Sequence, residues 1–162
     1  RHRQGTRLGP REAARHARPQ PQRLMPSGTL RPASAQDAEQ LCARLLAFNQ
    51  KAGGTDFDEI PLQLASHDAN GQLRGGLLGD ICAGWLVIHV LWVDPEYRGT
   101  GLGSQLLSQA EQQARATGAH GVTLDTFDWQ AEGFYLRNGY EVFGRLADFP
   151  LGHQRIYLRK TL

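Results

Sequence analysis

An apolar strand, a glycine-rich turn and an amphipathic helix follow one another between Trp85 and Thr117, and this run constrains the fold most strongly. Trp85 to Val93 is apolar on both sides of its alternation, the pattern of a strand central to its sheet. After Asp94-Pro95, the segment Arg98-Gly99-Thr100-Gly101-Leu102-Gly103-Ser104 turns the chain into a helix that carries Leu102, Leu106, Leu107 and Ala110 on one face and stops at Gly118. Backbone N–H groups in such a turn, with the unpaired N–H groups of the helix's first turn, form an anion site. Glycine lets the backbone approach a pyrophosphate, and Arg98 adds a fork of donors suited to phosphate oxygens. A dinucleotide fingerprint fits poorly, because its third glycine position is Ser104 and the turn starts five residues past the strand. A purely structural turn is the plain alternative.

The rest of the chain reads as one α/β domain. Thr29 to Pro32 is expected as a short first strand, and a helix begins at Ser34 with Leu41, Leu45, Leu46 and Phe48 at helical spacing and ends at Gly53-Gly54. Asp56 to Pro61 reads as an acidic loop or short helix. Leu62 to Ser66 and Leu73 to Cys82 form a hairpin with Asn70-Gly71 at its tip. Val122 to Thr126 is a strand, Gln130 to Asn138 a short helix, and Tyr140 to Leu146 and Gln154 to Arg159 are the last two strands. No apolar run approaches the roughly 18 residues of a membrane span, and the basic N-terminus has no apolar stretch behind it, so neither membrane nor signal peptide is expected. Cys42 and Cys82 have no metal-ligand spacing and sit in apolar settings; two buried, reduced thiols in a cytoplasmic protein without a metal are expected.

The formal net charge of +2 conceals an asymmetry. Residues 1–24 hold seven arginines against one acid, Glu12, whereas the remainder is net acidic. This segment, rich in Arg, Gln and Pro, is read as a basic, disordered extension ahead of a domain spanning 25–162, with no nucleic-acid partner expected.

Two motifs together resemble the GCN5-related N-acetyltransferases. Arg98 to Gly103 matches that family's Arg/Gln-x-x-Gly-x-Gly/Ala coenzyme-A loop, and Leu91-Trp92-Val93-Asp94-Pro95 matches the strand leading into it. Ala131-Glu132-Gly133-Phe134-Tyr135-Leu136-Arg137-Asn138-Gly139-Tyr140 looks like the second signature, at a family-like interval. The resemblance covers about residues 28–160. It implies an acyl-CoA N-acyltransferase fold: a mixed, mostly antiparallel sheet, flanked by helices and splayed between its fourth and fifth strands, Trp85–Val93 and Val122–Thr126. It implies acetyl-CoA as co-substrate, held by Arg98, Gly99, Thr100, Gly101, Gly103 and Ser104, and by backbone groups of Leu91, Trp92 and Val93 along the splayed edge.

In the same way the resemblance implies Tyr135 as general acid for the departing thiolate, a core aromatic being the alternative. Strand alternation is expected to turn His89 toward Leu91 and Val93 as candidate base, a satisfied core histidine being the alternative. Asp56, Asp58, Glu59 and Asp80 are rivals as base or substrate anchor. Where many relatives carry Asn, seven residues before the Tyr, this chain has Asp128; a carboxylate suits an anionic cofactor badly, and Gln130 is expected to take the polar role. The implied reaction moves an acetyl group to a primary amine of a small molecule or peptide, with acids in the overhanging loop favouring a cationic one; a homodimer is compatible with all of this. A non-catalytic acyl-CoA-binding sensor or scaffold with the same fold is the alternative function.

Overall fold

A computed structural model describes residues 28, 30–54 and 57–162. The basic extension 1–24 and Asp56 lie outside them. Helix α1 (Ala35–Gly53) is followed by β1 (Ile60–His67), β2 (Leu73–Cys82), β3 (Trp85–Val93), α2 (Leu102–Ala116), β4 (Gly121–Phe127), α3 (Glu132–Arg137), β5 (Glu141–Ala147) and β6 (Gln154–Thr161). The six strands form one sheet in the order β1-β2-β3-β4-β6-β5, antiparallel except for the parallel pair β3–β4. A parallel neighbour needs a crossover, and α2 supplies it.

Cys42, expected to be buried, is exposed, and Cys82 is half-buried. Of the strand expected at Thr29 to Pro32, the described residues Leu30, Arg31 and Pro32 are irregular, so among the described residues the splayed pair are the third and fourth strands rather than the fourth and fifth. No short helix occurs at Phe57–Glu59, which is also irregular. Helix α1 starts where its capping residues dictate. The Ser34 hydroxyl accepts from the Asp37 N–H while Asp37 accepts from the Ser34 N–H, and Gly54 closes the other end in the left-handed region at φ 61°. Its apolar stripe nevertheless stays exposed at Leu41, Leu45 and Phe48.

The core lies between the sheet and α2. Leu102, Leu106, Leu107, Ala110 and Ala114 pack against Leu77, Leu86, Ile88, Val122, Leu124, Ile156 and Leu158. The hairpin turn is held by Asp68, whose side chain accepts from the N–H groups of Asn70 and Gln72. No helix among the described residues is long and apolar enough to cross a membrane.

Candidate active site

Strands β3 and β4 pair only from Trp85↔Gly121 to Ile88↔Leu124. Beyond Ile88 they part, while β3 remains paired on its other side through Leu77↔Leu91, Gly76↔Trp92 and Gly75↔Val93. The edge of Leu91–Val93 that faces β4 therefore carries main-chain donors and acceptors without a strand partner, the kind of edge an extended ligand can join.

The same strand runs straight into the glycine-rich turn. Asp94 accepts from the Glu96 N–H in a short 3-10 turn over Pro95–Tyr97, and the Thr100 hydroxyl donates to the Tyr97 carbonyl at 2.7 Å. Gly99 and Gly101 take φ of 75° and 89°, a region that costs an L side chain strain. A β-carbon added at either would meet nothing within 4 Å, so the turn has open space on its concave side. Gly101 caps α2 without a side-chain bond, leaving first-turn N–H groups free of side-chain partners. Arg98 donates from Nε to the Val93 carbonyl at 3.1 Å, which ties the guanidinium to the strand end. Strain-tolerant glycines, open space, unpaired N–H groups and a tethered cation fit a pyrophosphate. Helix α3 closes the turn from the side: a β-carbon on Gly103 would stand 3.1 Å from the Phe134 ring and 3.7 Å from a Val93 methyl.

Residues 33–140 match the family model described as "Acetyltransferase (GNAT) family". The chain belongs to the GNAT family. It is similar to a blasticidin-S acetyltransferase from Streptomyces morookaense, 46% identical over 57% of this chain and 68% of that protein. It is also similar to an acetyltransferase from Agrobacterium fabrum, 32% identical over 72% of this chain and 84% of the relative. The crystal structure of an acetyltransferase from Bacillus cereus superposes with a TM-score of 0.80 at 28% identity, covering 85% of this chain and all of that one. The chain is thus an acetyl-CoA-dependent acetyltransferase.

In this acetyltransferase Tyr135 is 7% exposed and belongs to the core, edge-on to Phe134 and Tyr140. Burial, with a smaller contribution from the charge of Asp125, pushes its phenol up to about 12, so it stays protonated through the physiological range. The hydroxyl has no protein hydrogen-bond partner among the described residues.

His89 is not turned toward Leu91 and Val93. A β-bulge falls where Leu78↔Val90 is followed by Gly79↔Ile88, so His89 is an extra residue in β3 and the alternation breaks there. Leu91 and Val93 pack on the core, whereas His89 is exposed on the opposite sheet face and bonded through Nε2 to Asp80 of β2.

Gln130 uses its side-chain oxygen inside the protein, accepting from the Thr126 hydroxyl and the Phe127 N–H at 3.0 Å each. Asp128 fastens the start of β6, accepting from His153 and from the Gln154 N–H. Its carboxylate is thereby committed to the protein. Asp58 and Glu59 lie exposed ahead of β1.

One ion pair and one three-residue cluster escaped sequence reasoning. Arg155 grips Asp125 with two bonds of 2.6 and 2.7 Å, its guanidinium ringed by Phe127, Phe149 and Tyr157. Behind the core, buried Glu111 accepts from the Tyr140 hydroxyl at 3.0 Å and from Lys160 at 2.7 Å, joining α2, the α3–β5 junction and β6. Their sequence separations of 30, 29 and 49 residues leave no local signal.

Proposed function

We propose that this acetyltransferase acetylates a primary amine of a small molecule or peptide by direct attack within a ternary complex, with Tyr135 as general acid and His89 as base. When bound, acetyl-CoA supplies the activated acetyl group. The pyrophosphate rests on Arg98, the Gly99-Thr100-Gly101 turn and the N–H groups of Gly103 and Ser104, while the open edge of Leu91–Val93 holds the pantetheine arm. Main-chain N–H groups on that edge polarise the thioester carbonyl, and being preorganised they do so without rearrangement.

The observation that carries this reading is the parting of β3 and β4 beyond Ile88↔Leu124, directly upstream of the turn. A slot lined by unpaired backbone thus leads into an anion cradle. Support for the two proton-transfer roles comes from their settings, Tyr135 packed in the core and His89 exposed beside Asp80 on the other sheet face. Tyr135, on the core side, gives its proton to the departing thiolate; burial raises the phenol to about 12, which keeps it protonated while making it a weaker acid than a free phenol. His89, on the open face, takes a proton from the amine, which attacks only when neutral.

Among acceptors, cationic amines fit best. Asp80 lies on the open face, and Asp58 and Glu59 lie exposed in the segment leading to β1. Gln130 retains its amide nitrogen to meet the cofactor beside the α3 entrance.

Release of free thiol from acetyl-CoA across a panel of amines tests the proposal. Amine-dependent release is expected, strongest with polyamine or guanidino-amine acceptors. Tight acetyl-CoA binding without release for any amine would favour a sensor or scaffold instead.

A further inference from the structure

The imidazole of His89 has two ring nitrogens, and the structure assigns them different tasks. Nε2 is bonded to Asp80 Oδ1. An ionised carboxylate only accepts, so in the neutral ring Nε2 must carry the hydrogen and Nδ1 must hold the lone pair. Nδ1 has no protein partner among the described residues, and the His89 side chain is 55% exposed on the open sheet face. We infer that Asp80 is a positioning residue which locks His89 into the Nε2–H tautomer and makes Nδ1 the atom that receives the amine proton. This rests on the reading of His89 as base.

The local backbone explains why both residues are needed. Asp80 pairs with Val87, and strand alternation puts His89, two residues on, on the same sheet face as Asp80. The bulge at Leu78/Gly79 turns the residues beyond it, so that Leu91 and Val93 pack on the core while His89 stays on the face of Asp80. It also removes His89 from the strand's regular ladder, so the ring orientation must come from a side-chain contact. Asp80 lies near the end of β2, between the buried Gly79 and Ile81. At 22% side-chain exposure it is better anchored than its partner. Gly79 keeps this crossing tight, since a β-carbon there would come within 2.5 Å of the Val87 carbonyl oxygen.

Two neighbouring titratable groups on this face have partners of their own. Asp125, the residue after the last β3–β4 pair on β4, is held by Arg155 of β6. Cys82, two residues beyond Asp80, donates to the Phe57 carbonyl. Asp80 is therefore the carboxylate available to orient His89. The step balances simply: an N–H bond of the incoming ammonium breaks, an Nδ1–H bond forms, and the imidazolium returns the proton to water from its exposed edge.

The test combines the Asp80→Ala variant with nitrogen-15 spectra of the His89 ring and steady-state kinetics. The parent should show Nε2 as the protonated and Nδ1 as the bare nitrogen above the ring's titration. In Asp80→Ala the two tautomers should mix, and kcat should fall about tenfold or more with little change in KM for acetyl-CoA, because orientation rather than cofactor binding is lost. Asp80→Glu should restore part of the rate and of the tautomer preference. An unchanged tautomer in Asp80→Ala overturns the inference, as does a parental kcat. If His89→Gln is slow while Asp80→Ala is not, the base reading stands and this inference falls. If both variants turn over at the parental rate, the base reading itself falls with it.

Discussion

The two ends of the slot between β3 and β4 are built by different means. At the Val93 end the chain uses its backbone: two left-handed glycines, a helix start without a side-chain cap, and an arginine tethered five residues back to the strand. Everything needed lies within about a dozen consecutive residues. At the end proposed to react, the chain uses side chains drawn from separate strands and a helix: His89 with Asp80, Asp125 with Arg155, and Tyr135, buried on α3. A site that grips a constant ligand can be written locally, whereas one that meets a variable acceptor is assembled through tertiary pairing. Changes at the first end should therefore abolish binding, and changes at the second should slow turnover while leaving binding intact.

Gly101→Asp should have the largest effect. It forces a side chain into φ 89° and adds a negative charge where phosphates rest, and calorimetry should show acetyl-CoA affinity reduced by about a hundredfold or more. The thermal transition should move by only a few degrees, since nothing packs against that position. Tyr135→Phe comes next, keeping the ring in the core and removing the acid. Acid catalysis of this kind is worth about 10²–10⁴-fold, and allowing water to substitute in part, kcat should fall at least about tenfold with acetyl-CoA affinity unchanged. A parental kcat would remove Tyr135 from the mechanism. His89→Gln should lower the plateau of the pH profile and flatten the acid limb that protonation of the base imposes; an unaltered profile would move the base elsewhere on the open face.

The smallest effect concerns stability at high pH. Burial raises the Tyr135 phenol from its ordinary value near 10 to about 12 and raises Tyr140 further, with Glu111 beside it. The fold thus favours the neutral phenols. The associated stability is fully present below pH 10 and is lost as the pH climbs through the raised values. Melting temperature should decline above pH 10, and Tyr135→Phe should soften the decline by roughly 1–3 kcal/mol at most.

This division also explains what was legible in the sequence. The turn, α2 and the hairpin were readable because glycines, helical periodicity and an Asn-Gly tip act over a few residues. The strand expected at Thr29 to Pro32 failed because four residues ending in an imino acid do not specify a ladder partner. The orientation of His89 was misread because a bulge adds one residue without altering the apolar pattern around it. Asp128 was set apart from the cofactor on charge alone, and its partners, 25 and 26 residues downstream, were invisible. Helix α1 shows the converse case. Its caps fix both of its ends, but its apolar stripe does not pack on the core.

Amide hydrogen exchange on adding coenzyme A tests the central claim most directly, because the claim concerns backbone groups. The slot and the cradle predict slowed exchange concentrated at Leu91–Val93 and at residues 99–104, with the β1–β2 hairpin unchanged. Saturating coenzyme A that leaves both stretches exchanging at their original rates, or protects the hairpin instead, would contradict the account.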